Sequence, residues 1–489
     1  MSANHGMAMT SIGSKIVSST VWMAIEHSGQ QAIQLGVFVL LARLLGPHAI
    51  GLAALAVMVP GILTVPVAKG IPDAIVQRRE IDPEHLDSSF WLLAAGGVAI
   101  SILVWMAAGM IAAAFRQPLL ADLIRWTCII VAIQGLGSVP IAILKRGLNF
   151  RLLALRTLGG TAVGGSVGIG LAVMGFGVWS LVWMQIAKVT VETTVLFLGS
   201  TWRPRLRYSH PHCRELFSFS APIVGFSLWT YFNYELPKIV LGAFLEPSAV
   251  GVFAIARKPL EFLVRVIVTP LADVAMPAVS RLQANRANID RFFDTALRVA
   301  GLVGFPAFMG VVAIAPEAVP FFLGDRWESS ILPIQILMFM GLLSPIEHMC
   351  RGTVLALGHS ALILKLNIAY TALAAIVLVA AAQISLEATM AALVACDLTF
   401  VPAYLYFTQR LAGINVMRPF LILPRLAATT TLMFIAVTIW RLIAVKHVSD
   451  GVVFSSAIII GAIVYGASAI VLMRPDLLNA RNMLLKMRR

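Results

Sequence analysis

Charge is scarce in this chain of 489 residues: Asp, Glu, Lys and Arg together supply 12% of it. A soluble globular domain carries roughly 25%, so the chain lacks the groups that would cover a water-facing surface. Acids are the scarcer sign, 23 against 37 Lys and Arg, which leaves a formal net charge of +14. Cysteine is also rare. Cys128, Cys213, Cys350 and Cys396 lie far apart, without CxxC or Cys/His ligand spacing, which argues against a disulfide framework and against a zinc site. No GxxxxGK[ST] loop is present to cradle ATP phosphates. The N-terminus has no basic stretch followed by a clean apolar run, so no cleaved signal peptide is expected. The basic residues form short clusters between apolar runs and no aromatic-interleaved patch, so no nucleic-acid partner is expected. Neither a cofactor nor a metal is expected from these features.

What is plentiful is apolar surface. Hydrophobic residues make up 59% of the chain and the mean hydropathy is +0.89. A membrane-crossing helix needs about 20 mostly apolar residues. Charge and turn clusters cut the sequence into about fourteen such runs, from 15–44 to 451–473. The expected fold is an all-α membrane protein with about fourteen transmembrane helices, arranged as two pseudo-symmetric six-helix bundles plus two extra C-terminal helices. The expected division is a first bundle at 1–200, a basic linker at 201–214, a second bundle at 215–410, helices 13 and 14 at 411–473 and a tail at 474–489. The tail interleaves Leu and Met with Arg and Lys, a pattern suited to an anionic leaflet surface.

Orientation follows from the cations, because positive loops stay in the cytoplasm. With the N-terminus inside, 26 of the 37 Lys and Arg fall on inner connections and six, Arg43, Arg116, Arg125, Arg326, Arg441 and Lys446, on outer ones. The other five, Lys188, Lys238, Arg257, Lys258 and Arg265, fall within spans. Both termini are therefore expected in the cytoplasm.

A repeat with an offset of 200 residues joins Leu45-Gly46-Pro47-His48-Ala49-Ile50-Gly51 to Leu245-Glu246-Pro247-Ser248-Ala249-Val250-Gly251. Each segment links the first two spans of a six-span block, so the blocks have the same topology. Such parallel repeats are a common plan for secondary transporters. Prolines echo the match: Pro60, Pro66 and Pro72 in the second span, Pro259, Pro270 and Pro277 in the eighth. These prolines are either tolerated in lipid or mark kinks.

Intramembrane polar residues are costly and call for a reason. Glu26, Gln30 and Gln34 recur at helical spacing in the first span, with His27 and Gln31 beside them. The equivalent seventh span carries Trp229, Thr230, Tyr231, Asn233, Tyr234, Glu235 and Lys238. The eighth adds Arg257, Lys258, Glu261, Arg265 and Asp273; the sixth has Lys188 and Glu192 at i, i+4, and the twelfth has Asp397. Interhelical ion pairs account for such residues as well as a ligand does, and Arg257 and Lys258 can also snorkel outward. The equivalent placement of the first- and seventh-span stripes favours a central cavity, whose Lys and Arg would suit an anionic ligand.

Several short motifs carry a family resemblance. They are Leu44-Leu45-Gly46-Pro47, Ala74-Ile75-Val76-Gln77-Arg78-Arg79-Glu80, Glu84-His85-Leu86-Asp87-Ser88-Ser89-Phe90-Trp91, Gly175-Phe176-Gly177-Val178-Trp179, Trp202-Arg203-Pro204-Arg205-Leu206, Pro277-Ala278-Val279-Ser280-Arg281-Leu282-Gln283 and Gly324-Asp325-Arg326-Trp327. In this order, over about residues 10–410, they resemble bacterial polysaccharide-export flippases of the Wzx type, in the colanic-acid and succinoglycan exporter branch of the MOP superfamily. That superfamily also holds the MATE drug exporters and the lipid II flippase.

The resemblance implies a MATE-like fold in the bacterial inner membrane and no enzymatic chemistry. The implied activity is transfer of undecaprenyl-diphosphate-linked oligosaccharide from the cytoplasmic to the periplasmic leaflet by alternating access. Besides that substrate and membrane lipids, a polysaccharide polymerase and a chain-length regulator are the implied partners. On this reading Lys238, Arg257, Lys258 and Arg265 contact the diphosphate or an acidic sugar, and Gln30, Gln31, Tyr231 and Asn233 contact sugar hydroxyls. Glu26 and Glu235 are the candidates to carry a coupling proton, as intramembrane carboxylates. Relatives place an Asp in the seventh-span stretch where this chain has Pro237, with Glu235 and Lys238 nearby. Two alternatives remain. A MATE-type antiporter would use twelve spans and an acid-lined pocket. A membrane polymerase or ligase would carry catalytic Arg and His in a sizeable outer loop, and the outer connections here are short.

Overall fold

The computed structural model describes residues 2–78, 80–282, 285–444 and 450–474. The tail from Pro475 to Arg489, expected to lie on the membrane surface, falls outside the described residues. Every regular element among them is helical.

The helix Ser2–Ala68 is broken at Gly46, where φ is 77° and ψ 173°, into α1 (2–45) and α2 (47–68). Glycine reaches this positive φ without a Cβ clash, and Pro47 then opens the next helix, where its missing N–H is not needed. A second positive-φ glycine, Gly70 (φ 79°), breaks α2 before its last segment, Ile71–Gln77, which starts beside Pro72. Next come α3 (Pro83–Ala114), α4 (Pro118–Thr127 with Ile129–Arg146), α5 (Phe150–Val173), α6 (Trp179–Gly199) and α7 (His210–Phe244). α8 runs as Pro247–Leu263, a π-helical turn Val264–Val268 and Thr269–Leu282. α9 (Arg286–Leu323), α10 (Ile331–Ala356), α11 (Ser360–Ala382), α12 (Leu386–Ala412), α13 (Leu423–Ala444) and α14 (Asp450–Leu472) complete the order. The fourteen helices correspond to the fourteen expected spans. By length and hydropathy twelve stretches among the described residues qualify as spans, with α1 and α2 counted as one across their kink. α7 is not among the twelve, in keeping with the polar residues it carries.

The chain forms two compact units, Met1–Gly251 and Val252–Arg489, and α7 groups with the first. Lipid supplies no hydrophobic drive for helices to associate, so close packing of small residues does that work. In the first unit α5 lays a glycine stripe on α6. A methyl group on Gly160 would meet Glu192 Cγ at 2.4 Å, one on Gly164 would meet Lys188 Cβ at 2.8 Å, and one on Gly168 Met184 Cβ at 2.9 Å. α3 and α4 approach equally closely: methyls on Gly97 and Gly135 would lie 2.9 Å from Val131 O and 2.6 Å from Leu93 O.

In the second unit a buried ion pair fastens α13 to α9. Arg441, placed on an outer connection by the sequence reading, donates to Glu317 (6% exposed) and, at 2.9 Å, to Ala313 O. Trp440 Nε1 donates to Ser456 Oγ at 2.8 Å, which joins α13 to α14.

The expected kinks take two forms. α2 breaks at Gly70, just before Pro72, whereas α8 widens into its π turn between Pro259 and Pro270. Thr269 Oγ1 donates to Val264 O at 3.3 Å there, so a side chain supplies a donor where the backbone ladder is disturbed.

The repeat has a direct structural counterpart inside the first unit. A methyl on Gly51 would lie 1.7 Å from Pro247 O, and one on Gly251 would lie 2.0 Å from Pro47 O and 3.0 Å from Gly51 N. The two matched turns therefore meet reciprocally, backbone against backbone, at the two glycines that the offset of 200 pairs. Gly51→Val and Gly251→Val are each expected to lower the thermal unfolding midpoint of the purified protein, at an overpacking cost of about 1–3 kcal/mol. Gly36→Ala, where a methyl would meet nothing within 4 Å, serves as the control and is expected to leave the midpoint unchanged.

Candidate functional site

In the first unit the polar stripe of α1 faces α5. Thr157 Oγ1 donates to Glu26 Oε1 at 2.8 Å, so the carboxylate singled out for proton coupling is held by a neighbouring helix. Gln30 and Gln31 are partly buried on the same helix. The i, i+4 spacing in α6 suggested a Lys188–Glu192 pair. Instead Arg156 of α5 donates to Glu192 Oε2 at 2.8 Å, while Lys188 and Glu26 lie within electrostatic reach of that carboxylate. Two acids and two bases from three helices thus form one intramembrane cluster.

On α7, the Tyr231 hydroxyl packs against α2 at Gly61, where a methyl group would lie 2.1 Å from it. Glu235 is 3% exposed and pairs with Lys238 at 2.7 Å, and the Lys238 ammonium sits 5.5 Å from the centre of the Tyr234 ring. The acid next to Pro237 is therefore neutralised within its own helix. Two polar atoms on α7 have the opposite condition: Trp229 Nε1 and Asn233 Oδ1 are buried without a hydrogen-bond partner. Four residues apart, they share one helix face. Of the two, Asn233 is a residue expected to contact sugar, and Trp229 is not.

In the second unit Arg257 Nε and Lys258 Nζ both reach Glu261, at 3.1 and 3.2 Å, and the Arg257 guanidinium lies 5.7 Å from the Phe253 ring centre. The two cations thus share one carboxylate. Arg265 sits in the π turn and is exposed. Turns of this kind recur at functional sites. Asp397 of α12 accepts from Tyr370 Oη at 2.9 Å, with Glu347 and Arg257 within electrostatic reach, and Tyr404 Oη donates to Asn367 Oδ1 at 3.3 Å.

One cluster was not foreseen, although the motifs that build it were. The segment 200–209 lies along the start of α3. Arg205 N donates to buried Asp87 at 3.1 Å, Trp91 Nε1 donates to Arg205 O at 2.8 Å and Ser209 N donates to Ser88 Oγ at 2.8 Å. Phe90 meets Trp202 edge-on at 5.7 Å between ring centres. Beside this clasp, Arg78 pairs with Glu215 at 2.6 Å, and Arg146 donates to Ile75 O at 3.0 Å and also to Arg78 O. Two neighbouring motifs, at 74–80 and 84–91, thus fold together with a third more than a hundred residues on, at 202–206. Their polar character without helical period was the available signal.

Comparison with known proteins defines the class first. Among solved structures, the lipid II flippase MurJ in an inward closed conformation superimposes with a TM-score of 0.73 at 14% identity, covering 94% of this chain and 100% of that one. An inward-facing multidrug resistance MATE family transporter of the MOP superfamily gives 0.62 at 17% identity, covering 81% of this chain and 98% of that one. The fold is that of the MOP superfamily. A family model described as "Polysaccharide biosynthesis protein" matches residues 40–332, and the chain belongs to that family. Among curated relatives, the succinoglycan biosynthesis transport protein ExoT of Rhizobium meliloti is 24% identical over 65% of this chain, which spans 64% of that protein's length. The lipopolysaccharide biosynthesis protein WzxC of Escherichia coli is 23% identical over 73% of both chains.

The Glu235–Lys238 pair yields a stability test. Lys238→Met leaves a buried carboxylate without its partner and is expected to cost about 3–5 kcal/mol, whereas replacing both partners is close to neutral. Thermal unfolding should therefore show Lys238→Met well below wild type and the double variant Glu235→Gln/Lys238→Met recovering most of the loss.

Proposed function

We propose that this protein is a bacterial inner-membrane flippase that carries undecaprenyl-diphosphate-linked oligosaccharide from the cytoplasmic to the periplasmic leaflet, with both termini cytoplasmic. It acts as a transporter and not as an enzyme, and it supplies a polymerase and a chain-length regulator with their substrate. Family membership and the names of the relatives support the substrate class. The observation that carries the site is the pair of unpartnered polar atoms on one face of α7, Trp229 Nε1 and Asn233 Oδ1. Buried polar groups almost always have a partner. One donor and one acceptor left over suit hydroxyl groups, which both accept and donate. These two atoms meet their partners when cargo enters or the helices change arrangement. Tyr231, Gln30 and Gln31 add further hydroxyl contacts on this reading. The diphosphate is met by Arg265, Arg257 and Lys258, with Lys238 released toward it when its pairing with Glu235 loosens. Glu26, held by Thr157, and Glu235 carry the coupling proton.

Two experiments separate this reading from a purely structural role for the same residues. Asn233→Leu removes an unsatisfied buried group and is expected to keep or raise the thermal midpoint. Its ability to restore polysaccharide to a deletion strain should nevertheless fall about tenfold, equivalent to about 1.4 kcal/mol. Full complementation by Asn233→Leu would remove the carrying observation. Arg265→Ala is expected to insert normally and to abolish export; normal export would end the cationic role of α8. Glu26→Gln should remove any dependence on a pH gradient, and an unchanged dependence exonerates Glu26.

A further inference from the structure

Beside the clasp, two segments bring two imidazoles and a carboxylate together. Asp82 precedes α3, His85 lies in the first turn of α3 and His212 lies in the first turn of α7. Their ligand atoms all lie within 4.8 Å of one another. Asp82 Oδ2 is 3.4 Å from His85 Nδ1, and the two imidazole rings meet edge-on at 4.2 Å between centres. His85 is 3% exposed, so a ring with two polar nitrogens is held deep inside this cluster. No regular spacing announces the set, since the two histidines belong to different helices.

Two imidazole nitrogens and one carboxylate oxygen are a donor set suited to zinc and related divalent ions. Cys213 adjoins His212, but burial pushes its thiol up, away from the thiolate a metal would bind. A metal-bound histidine commonly gives its other ring N–H to a carboxylate, which fixes the ring. Glu215 stands in that place, its Oε2 3.7 Å from His85 Nε2.

We propose that Asp82, His85 and His212 form a binding site for a divalent transition metal of the zinc class, with Glu215 orienting His85 from behind. The metal takes the Nδ1 lone pair of His85, in place of the Asp82 backbone N–H that now lies 3.3 Å from it. The ring proton then resides on Nε2 and turns to Glu215. Arg78 Nη1, now 2.9 Å from that nitrogen, moves off it, while Arg78 Nη2 keeps Glu215 Oε1 at 2.6 Å. His212 leaves its 2.5 Å contact with Ser209 Oγ or coordinates through its other nitrogen. The bound ion ties the first turn of α7 to the start of α3 and closes the clasp over the segment 200–209.

The test uses full-length, tag-free protein in detergent, stripped with a chelator and titrated with Zn²⁺ by calorimetry and with Co²⁺ by visible absorption. Wild type is expected to bind one ion per chain and to gain thermal stability with added Zn²⁺, since a ligand that binds only the folded state stabilises it. His85→Ala and His212→Ala should each weaken binding at least a hundredfold. Glu215→Gln should weaken it by about 10–100-fold while the Co²⁺ spectrum keeps its shape. Should His85→Ala fail to insert, His212→Ala and Asp82→Ala carry the test. Absence of stoichiometric binding by wild type, or equal binding by His212→Ala and Asp82→Ala, overturns the proposal and leaves an adventitious ion only.

Discussion

A polar group in lipid has no water to turn to, and most of this structure follows from that constraint. Several charges inside the helical spans are held by other groups of the protein: Arg156 by Glu192, Lys238 by Glu235, Arg257 and Lys258 by Glu261, Arg441 by Glu317, and Asp397 by Tyr370. Each pairing takes charges out of water, and breaking one is costlier than never having it. The pairs that cross between helices, Arg156–Glu192 and Arg441–Glu317, therefore fix helix neighbours more than they add net stability. The exceptions carry information. On α7, Trp229 and Asn233 keep buried polar atoms without partners on one helix face.

The same solvent removes the hydrophobic drive between helices and leaves shape to do the joining. Glycine is the means. The stripe on α5 lets α6 approach to contact through Glu192, Lys188 and Met184, and Gly51 and Gly251 let the two repeated turns meet backbone to backbone. A duplicated sequence thus becomes a reciprocal contact. Proline supplies the complementary property: by opening helices at Pro47 and Pro247 it sets where each turn begins.

Much of this was legible in sequence because it depends on local properties. Fourteen helices follow from apolar length and the repeated turns from a 200-residue offset, whereas the contact between those turns shows only in the fold. Partner choice was not legible. Spacing in α6 pointed from Glu192 to Lys188, yet Arg156 comes from the neighbouring helix to take the carboxylate. Arg441 read as a loop cation because nothing local shows Glu317 across the helix packing. The clasp of Arg78, His85, Asp87, Arg205 and Glu215 was visible only as motifs of unexplained polarity. Its residues sit on three segments that meet only in the folded chain.

The central claim is that the polar face of α7 and the cations of α8 serve a lipid-linked oligosaccharide. The most direct measurement is mass spectrometry of inner-membrane lipids from a strain deleted for this gene. The account predicts accumulation of a complete undecaprenyl-diphosphate-linked repeat unit, loss of surface polysaccharide and rescue of both by the wild-type gene. Normal surface polysaccharide with no accumulated lipid-linked sugar would contradict it.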